Sequence, residues 1–376
     1  SSGSILQLEP EDMSLHTNKT LYLPSTPLNV LVSCAVAVHK QGLQETRELA
    51  ELWLIDQKNI TGNAYFEALK GLRNGPFQQV KIFSGKGKGV QKLTQRKQSF
   101  SEIVDGIEGF QPTQVAVGSD RRIEFQYAMH LLQQNKQPAT GLYLDDGLYS
   151  YVGRPYHVVK DGINTIIKKL VYGFWWQEPK TVGASNWIDQ AWLFAPQHAV
   201  GLLRSKKTTI LQPNWFQDAV VMELSQLVAQ QLNYDVVGLH ELDVMMLIPH
   251  PNNIKKMPGY EKRIQKIVAT LHQQGKKVGV KYHPRTPVED ALQLRTHGAT
   301  EIIPAQLAFE FCLPLFAKDC LVVGDVGTAL LTSKWLRPDL TVFAILDEKD
   351  GFQKRFISMS RSMNINVTNQ IEDIVE

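Results

Sequence analysis

Strand-like and helix-like segments alternate along most of this sequence, and that alternation constrains the fold more than any other feature. Gln79–Ser84, Gln114–Gly118 and Thr140–Leu144 are short and rich in apolar residues, and helix-length segments separate them. Strands that alternate with helices form βαβ units, which build a mostly parallel sheet covered by helices. The rhythm breaks over residues 148–200 and then resumes. We therefore predict an α/β protein with two doubly wound domains that face a central cleft.

The domain boundaries follow from the same pattern. Residues 1–27 are polar and contain Pro24 and Pro27, so we predict an irregular lead-in, of which residues 1–4 are a cloning remnant. Leu28–His39 is an apolar, Val-rich run and predicts a buried strand. A boundary near residue 190 divides the remainder into domains of residues 28–190 and 191–376.

Composition argues against several classes of function. The 40 Lys and Arg residues against 37 Asp and Glu give a net charge of +3, which is too balanced for a chain coated in nucleic acid. No run of roughly 18 apolar residues predicts a membrane span, and no Cys or His spacing is typical of structural zinc. The three cysteines fit a reducing compartment. We predict a cytoplasmic protein with no metal site and no nucleic-acid partner.

Three short motifs each follow a predicted strand, and the first is Asp145-Asp146-Gly147 after Thr140–Leu144. A carboxylate at the carboxyl end of a strand faces the cleft, where it can take a proton from a hydroxyl group. Asp-Gly is also ordinary turn chemistry, so a plain turn is the alternative.

The second motif is His283-Pro284, which follows the strand Lys277–Tyr282. A histidine in this position can contact or protonate a leaving phosphate group. A hydrogen-bonded loop histidine is the alternative, and His250-Pro251 forms a similar pair after another apolar strand. We prefer His283, because the basic residues Lys281 and Arg285 flank it.

The third motif lies where the strand Leu321–Gly324 leads through Gly327 into a helix that begins at Thr328. Free backbone N–H groups, the helix dipole and a threonine hydroxyl together make a phosphate-binding site. Simple capping of the helix by Thr328 is the alternative. The three motifs together predict a base, a histidine and an anion site across one cleft.

In this order, the motifs resemble those of the bacterial sialyltransferases with a GT-B fold, in which two Rossmann-like domains face a cleft. The family pattern is D/E-D/E-G, then HP, then a Ser/Thr motif. The order fits most closely the capsular α-2,8-polysialyltransferase-like group. Gly327 stands where that family often has a second hydroxyl residue beside the one represented here by Thr328.

The resemblance implies an inverting transferase that uses CMP-sialic acid as donor and requires no metal or other cofactor. Asp145 is then the general base, and His283 stabilises or protonates the departing CMP phosphate. The domain of residues 28–190 binds the acceptor, and the domain of residues 191–376 binds the CMP-sugar. The expected donor-phosphate contacts are Lys281, Pro284, Gly327 and Thr328. The expected acceptor contacts include Asp146 and Gly147.

The stretch 84–98 contains no acidic residue and carries five basic ones, Lys86, Lys88, Lys92, Arg96 and Lys97. Its glycines do not form a P-loop, because the Lys-Ser/Thr ending is missing. We expect it to attract a polyanionic glycan acceptor, such as a growing polysialic acid or capsular chain. A mobile solvated loop is the alternative. A second basic cluster, Arg204, Lys206 and Lys207, suggests a peripheral contact with the inner membrane or a capsule-export complex.

Other functions fit the same motifs. An HP pair followed by a hydroxyl-bearing helix start also suits a lipooligosaccharide mono-sialyltransferase, a Kdo transferase or a teichoic-acid-type polymerase. A sugar- or nucleotide-binding protein without turnover is a different class, and it would not need the carboxylate of Asp145.

Overall fold

The computed structural model of the chain describes residues 16–85, 90–153, 157–325 and 327–376, with the backbone only for residues 90–96, 328, 352 and 355. A sheet of seven parallel strands forms the first domain, in the spatial order β3-β2-β1-β4-β5-β6-β7. These strands are β1 (His16–Leu23), β2 (Thr46–Gln57), β3 (Phe77–Ser84), β4 (Gln114–Val117), β5 (Thr140–Leu144), β6 (Gln190–Leu193) and β7 (Lys207–Ile210).

Helices connect these strands. They are α1 (Pro27–Gln41), α2 (Ala64–Gly71), α3 (Val90–Phe110), α4 (Ile123–Gln134), α5 (Tyr149–Val152), α6 (Val158–Tyr172) and α7 (Gly201–Arg204). After β7, helix α8 (Ala219–Gln231) packs against α2 of the first domain before the chain enters the second sheet.

The second domain has a sheet of six parallel strands in the order β10-β9-β8-β11-β12-β13. Its strands are β8 (Val244–Leu247), β9 (Val278–Lys281), β10 (Glu301–Ile303), β11 (Leu321–Gly324), β12 (Thr341–Ile345) and β13 (Asn366–Thr368). Its helices are α9 (Pro251–Ile254), α10 (Tyr260–Gln273), α11 (Phe309–Cys312), α12 (Thr328–Leu336) and α13 (Gly351–Ser362). The prediction of two doubly wound α/β domains is confirmed.

The strand order reverses between β1 and β4 in the first sheet, and between β8 and β11 in the second. Ligands of open α/β sheets bind at such reversals, outside the carboxyl ends of the strands. The two sheets therefore place two ligand-binding edges at the cleft.

The predicted strand over Leu28–His39 is wrong, because this segment lies within helix α1. The hydroxyl of Thr26 accepts a hydrogen bond from the Asn29 amide (3.2 Å) and caps the helix, and Pro27 occupies the first turn. Every side chain from residue 28 to residue 37 is buried. A helix buried on all faces has no polar stripe, so its apolar run looks like a buried strand.

The predicted lead-in over residues 1–27 is also wrong from His16 onward, because β1 lies in the middle of the first sheet, while residues 1–15 lie outside the described part of the chain. Its polar residues misled the prediction, since Asn18 and Lys19 are only half-buried and the fully buried Thr20 is satisfied by partners. The Thr20 hydroxyl donates to Glu48 (3.2 Å), whose carboxylate lies 3.4 Å from Lys40 at the end of α1. Buried polar groups that bond to one another do not give a strand its usual apolar signature.

The predicted boundary at residue 190 falls inside the first sheet. Strand β6 begins at Gln190 and β7 follows it in the same sheet, so the chain changes sheet only between Ile210 and Val244. A strand over Thr208–Leu211 was expected and corresponds to β7, but it was assigned to the second domain. Strand β6 was missed, because it is only four residues long and follows an irregular crossover.

One hydrophobic cluster runs from the first domain into the second, where it includes Phe311, Val322 and Trp335. A separate cluster around Ile264 and Val280 fills the far side of the second sheet. The two domains therefore pack directly against each other. Among the residues that the structure describes, no helix is both long and apolar enough to cross a bilayer.

Candidate functional site

A cavity of about 500 Å³ lies between the two domains, at the carboxyl ends of their strands. The first domain contributes Asp146 and the start of α1, and the second contributes His283, Pro284 and Gly327. Residues from all three predicted motifs therefore line a single cavity, which we call the interdomain cavity.

Of the two adjacent carboxylates of the first motif, Asp146 is the one that lines this cavity, two residues after the end of β5. The Thr26 hydroxyl donates to its Oδ1 atom at 2.5 Å. Burial raises the pKa of Asp146 to about 7, and the neighbouring charge of Asp145 adds to the rise, while the Thr26 hydrogen bond and the charge of Arg122 oppose it. Near neutral pH this carboxyl group exchanges readily between its two protonation states, as a general base must.

Asp145, the predicted base, points the other way and is fully buried. Its carboxylate accepts hydrogen bonds from the Gly147 amide (3.0 Å), the Ser150 hydroxyl (3.0 Å), the Phe194 amide (3.1 Å) and the Tyr151 hydroxyl. Burial raises the pKa of Asp145, and these bonds oppose the rise. Asp145 does not line the interdomain cavity and instead ties β5 to α5 and to the end of β6.

Gly147 supports this turn. Its φ angle of 107° lies in the region that favours glycine, and its amide is one of the donors to Asp145. The structure therefore gives Gly147 a role in shaping the turn. Gly147 does not line the interdomain cavity.

His283 lies at the carboxyl end of β9 with a defined ring orientation. Its Nδ1 atom accepts a hydrogen bond from the Arg285 amide (3.1 Å), so the neutral ring carries its proton on Nε2. Burial lowers the pKa of His283, and the nearby His250, Lys281 and Arg285 lower it further. The histidine is therefore a neutral N–H donor over most of the physiological pH range.

His250, which was set aside at the sequence level, lies beside His283. The two ring centroids are 4.6 Å apart, edge to face, and the Nδ1 atom of His250 accepts from the Asn252 amide (3.0 Å) in the same way. The two His-Pro pairs follow β8 and β9, which are neighbours in the sheet. Two His-Pro pairs that each follow an apolar strand were the signal in the sequence that both histidines belong to one site, because carboxyl ends of neighbouring parallel strands meet at one edge of the sheet.

Lys281 lines the interdomain cavity but is nearly buried, and its ammonium group donates to the Ala305 carbonyl (3.1 Å). Burial lowers its pKa, while the neighbouring Cys312 and Glu310 oppose that shift. Glu310, which the sequence analysis missed, lines the same cavity, and burial raises its pKa against the opposing charge of Lys281. Lys281 thus provides a positive charge near the cavity rather than an exposed side chain.

Asp325 is a second cavity residue without a predicted role, although it stands inside the third motif. Burial raises its pKa to about 6. It also lines a smaller cavity of about 260 Å³ at the carboxyl ends of β8, β11 and β12. The walls of that cavity are mostly apolar and include Met246, Met257 and Tyr260.

Helix α12 begins at Thr328, as predicted, and Gly327 before it lines the interdomain cavity. The first amides of α12 therefore lie at the cavity, where a helix start favours negative charge. The side chain of Thr328 lies outside the described residues, so its predicted phosphate contact stays a prediction. A Cβ atom on Gly327 would meet nothing within 4 Å, so packing does not require glycine there.

A third cavity, of about 320 Å³, is formed by the first domain alone, and we call it the first-domain cavity. It is lined by Arg121, Arg122 and Asp146, together with Ser119, Tyr143, Tyr149 and Val182. Asp146 lines both cavities and lies where they meet. Sequence reasoning missed the two arginines, which precede α4 at the carboxyl end of β4.

Both arginines are held in place by carboxylates. Arg122 lies 2.5 Å from Asp56, and Arg121 lies 3.0 Å from Glu178, which also accepts from Lys168 (3.1 Å). Arg121 and Lys168 share the single carboxylate of Glu178, so these three side chains together carry a net positive charge beside the first-domain cavity.

The predicted basic stretch is only partly described. Lys86 and Lys88 lie outside the described residues, and so do the side chains of Lys92 and Arg96 on α3. Lys97 is exposed on α3 and lines neither cavity. Its role as an acceptor contact stays a prediction. Within the described ranges, no group of three or more His, Cys, Asp or Glu residues is placed to hold a metal ion.

Comparison with known proteins bears on the assignment of the fold. No protein-family model matches the chain, and no curated protein matches it. Among solved structures, a putative UDP-N-acetylglucosamine 2-epimerase from Listeria monocytogenes has a TM-score of 0.51 and 12% identity over 92% of this chain and 88% of its own.

Two further matches have lower TM-scores. UDP-GlcNAc 2-epimerase from Neisseria meningitidis, bound to UDP-GlcNAc, gives 0.47 at 13% identity over 93% of this chain and 95% of its own. A family 9 glycosyl transferase from Veillonella parvula gives 0.43 at 9% identity over 95% and 92%. At such identities the likeness concerns the fold alone. Together with the two sheets described above, the Listeria match identifies a two-domain, Rossmann-like GT-B fold.

Proposed function

We propose that this protein is an inverting glycosyltransferase that binds a nucleotide-sugar donor in the interdomain cavity and an acceptor glycan in the first-domain cavity. The observation that carries the proposal is the position of Asp146, a carboxylate with a pKa of about 7 at the junction of the two cavities. A transferase needs a base between its two substrates, whereas a binding protein does not.

In the proposed reaction, Asp146 takes the proton of the acceptor hydroxyl as the oxygen attacks the anomeric carbon. The bond from that carbon to the nucleotide phosphate breaks on the opposite face, so the configuration inverts. The phosphate leaves with the bonding electrons, and the Nε2–H of His283 and the first amides of α12 stabilise its charge. Lys281 adds positive charge without a metal ion.

CMP-sialic acid is our preferred donor. Three motifs that resemble those of bacterial sialyltransferases line one cavity or border it, although Asp146 replaces Asp145 as base. The apolar cavity beside Asp325 offers a place for the nucleotide base, since it adjoins the interdomain cavity at the carboxyl ends of the second sheet. The same arrangement also suits another nucleotide-sugar transferase, such as a Kdo transferase or a teichoic-acid-type polymerase.

The acceptor is proposed to be anionic, as in a growing polysialic acid or capsular chain. Arg121 and Arg122 line the first-domain cavity, and a guanidinium group matches the geometry of a carboxylate. Arg122→Gln is expected to weaken the use of sialylated acceptors more than that of neutral galactose-ended ones. Arg204→Gln, outside both cavities, is the matched control. Equal losses on both acceptor types would contradict an anionic acceptor.

The decisive experiment supplies CMP-sialic acid, CMP-Kdo or UDP-GlcNAc, each with and without sialylated and galactose-ended acceptors. Nucleotide release and product mass are measured, in the presence and absence of a chelator. We expect acceptor-dependent CMP release from CMP-sialic acid that the chelator does not change and that Asp146→Asn reduces by about 10²-fold or more. Turnover of UDP-GlcNAc without acceptor, giving the 2-epimerised sugar, would replace the proposal with an epimerase. Binding without turnover of any donor would point to a binding protein.

A further inference from the structure

Helix α6 is amphipathic, but its apolar face points to solvent and its polar face points to the protein. Its outward face carries large apolar side chains at helical spacing, and each is more than half exposed: Val159, Ile163, Ile166, Ile167 and Leu170, with Phe174 just beyond the helix. Surface helices of globular proteins normally turn such a stripe toward the core. An exposed contiguous apolar face of this kind marks an interaction surface.

Polar contacts on the inward face fix this orientation. Asp161 is buried and accepts a hydrogen bond from the His157 amide (2.7 Å). Lys168 donates to Glu178 (3.1 Å), and its ammonium group lies 4.7 Å from the ring centroid of Trp176. Rotating α6 to bury its apolar stripe would break the contacts of Lys168 with Glu178 and Trp176 and would expose the buried carboxylate of Asp161, so the exposed stripe is a feature of the folded protein.

We propose that α6 docks the protein on the surface of an anionic phospholipid bilayer, with its axis parallel to the membrane plane. Lys160 and Lys169 lie on opposite edges of the apolar stripe, where their amine groups can reach lipid phosphates while the stripe enters the acyl boundary. The 15 residues of α6 span about 22 Å, less than the roughly 30 Å of a bilayer core, so the helix lies on the membrane and does not cross it.

The charges on α6 favour an anionic bilayer, and not a second copy of this chain, as the partner that covers the apolar stripe. The acid of α6, Asp161, is buried on the inward face, so the outward face presents lysines and no carboxylate. Two such faces packed together would bring like charges into contact. An anionic lipid surface complements the same lysines.

The docking helix is linked to the first-domain cavity. Glu178 pairs with Lys168 of α6 and also with Arg121, which lines that cavity. Docking through α6 therefore holds the first-domain cavity close to the lipid surface, where a membrane-anchored glycan would be presented.

Vesicle flotation of the full chain tests the proposal without reference to activity. Vesicles of phosphatidylcholine alone are compared with vesicles containing about three parts phosphatidylglycerol to seven parts phosphatidylcholine. We expect the protein to float with the anionic vesicles, and the Ile166→Asp/Leu170→Asp variant to lose at least about tenfold in bound fraction. Ile60→Asp/Val288→Asp, which changes two apolar residues that are also about half exposed or more, is the matched control and should bind normally.

Two further measurements complete the test. Lys160→Gln/Lys169→Gln should remove most of the preference for anionic vesicles, and circular dichroism should show all variants folded. Failure of the unmodified protein to float with anionic vesicles would overturn the proposal, and so would equal losses in the α6 variant and its control. A dimer that light scattering detects and that Ile166→Asp/Leu170→Asp dissolves would assign the face to a second copy.

Discussion

Two adjacent carboxylates, Asp145 and Asp146, have opposite environments although they follow the same strand. Successive residues of an extended chain point to opposite sides, so one faces the buried turn and the other faces the cavities. From the sequence, Asp145 is predicted as the base and Asp146 as an acceptor contact, whereas in the structure Asp146 lines the cavities and Asp145 is buried away from them. This difference depends on Ser150, Tyr151 and Phe194, whose side chains or amides surround Asp145 through contacts that no local pattern reveals.

Asp146→Asn removes the proposed base and is expected to reduce kcat/KM by about 10²-fold or more, since a positioned base contributes at least that much. In the unmodified enzyme the base must be ionised, and burial raises its pKa to about 7. The rate should therefore rise with pH through about 7 and level off above it. A pH profile of kcat/KM checks this expectation, with Asp146→Glu as the conservative control. A profile that is flat across pH 6–8, or an Asn variant with normal turnover, would remove Asp146 from the reaction.

The same substitution should stabilise the protein above neutral pH. The folded-state pKa of Asp146 is raised from 3.8 to about 7, so the native state binds this proton more tightly than the unfolded state does. The contribution of this group to stability is therefore fully present below the unfolded pKa and is lost as pH rises through about 7. Asp146→Asn avoids that loss, which is at most about 4.5 kcal/mol at roughly 1.4 kcal/mol per pKa unit.

Urea unfolding at pH 5 and pH 8 measures this effect. We expect the difference in the free energy of unfolding between the variant and the unmodified protein to be larger at pH 8. A larger difference at pH 5 would mean that the carboxylate is favourably solvated or paired in the folded state.

Asp145→Asn should act on stability. An amide group in place of the carboxylate directs N–H groups at the Phe194 amide or the Gly147 amide, both of which are donors. Buried donors without an acceptor cost about 1–3 kcal/mol each. Thermal unfolding should show a clear loss of stability, and an unchanged melting temperature would mean that the inward network does not hold the turn.

At the level of single elements, strand β5 carries both carboxylates to the cleft edge, and its own position depends on close backbone packing. The Gly141 amide donates to Asp189 (2.9 Å), and the Asp189 amide donates back to the Gly141 carbonyl (2.8 Å). An added Cβ on Gly141 would lie 1.9 Å from the Trp187 carbonyl oxygen. The glycine therefore lets the segment before β6 lie directly against β5.

Gly141→Ala is expected to destabilise the protein by about 1–3 kcal/mol or more, because a backbone segment must move to make room. Gly162→Ala on α6 is the matched control: its added Cβ would meet nothing within 4 Å, and alanine favours a helix by up to about 1 kcal/mol. Denaturant midpoints compare the two variants. Equal stability of both would show that the crossover adjusts freely around β5.

Elements were predicted well where their periodicity was ordinary and poorly where it was not. Strand β5 and helix α12 were predicted with the bounds that the structure gives. Helix α1 was assigned as a strand because it is buried on all sides, and β1 was assigned as irregular because its buried polar groups bond to one another. In both cases tertiary surroundings override the local pattern.

At the scale of the whole molecule, the prediction of two α/β domains that face a cleft is confirmed. Each motif follows a strand in the sequence, and for this reason its position at the carboxyl end of a sheet could be predicted. The first-domain cavity was not predicted. Arg121, Arg122 and Asp146 come from different strand ends, and their common cavity exists only after both strands are placed side by side. The interdomain contact that holds the cleft was equally invisible in the sequence.

Tyr65 takes part in that contact. Its hydroxyl donates to the Gln306 carbonyl (3.1 Å) and accepts from the Ala308 amide (3.0 Å), and its ring lies edge to face with Phe311 at 5.2 Å. These bonds join α2 of the first domain to the segment that leads into Glu310 at the interdomain cavity.

Tyr65→Phe removes both hydrogen bonds and is expected to lower the free energy of unfolding by about 1–3 kcal/mol and to raise the KM for the donor. Tyr127→Phe, within the first domain, is the control that should leave the donor KM unchanged. Donor kinetics together with denaturant unfolding separate the two effects. An unchanged donor KM in the Tyr65 variant would mean that the interdomain contact does not shape the donor cavity.

The central place of β1 in the first sheet has a consequence for synthesis on the ribosome. Thr20 of β1 contacts Gln114 of β4, which follows 94 residues later, so at about 5–20 residues per second the strand emerges roughly 5–20 s before this neighbour does. During that interval one edge of β1 has unpaired backbone N–H and C=O groups, which can pair with strands of other nascent chains. The polar beginning of the strand, with Asn18 and Lys19, opposes such pairing. Apolar replacements there should reduce the yield of folded protein during expression while sparing the stability of molecules that have already folded.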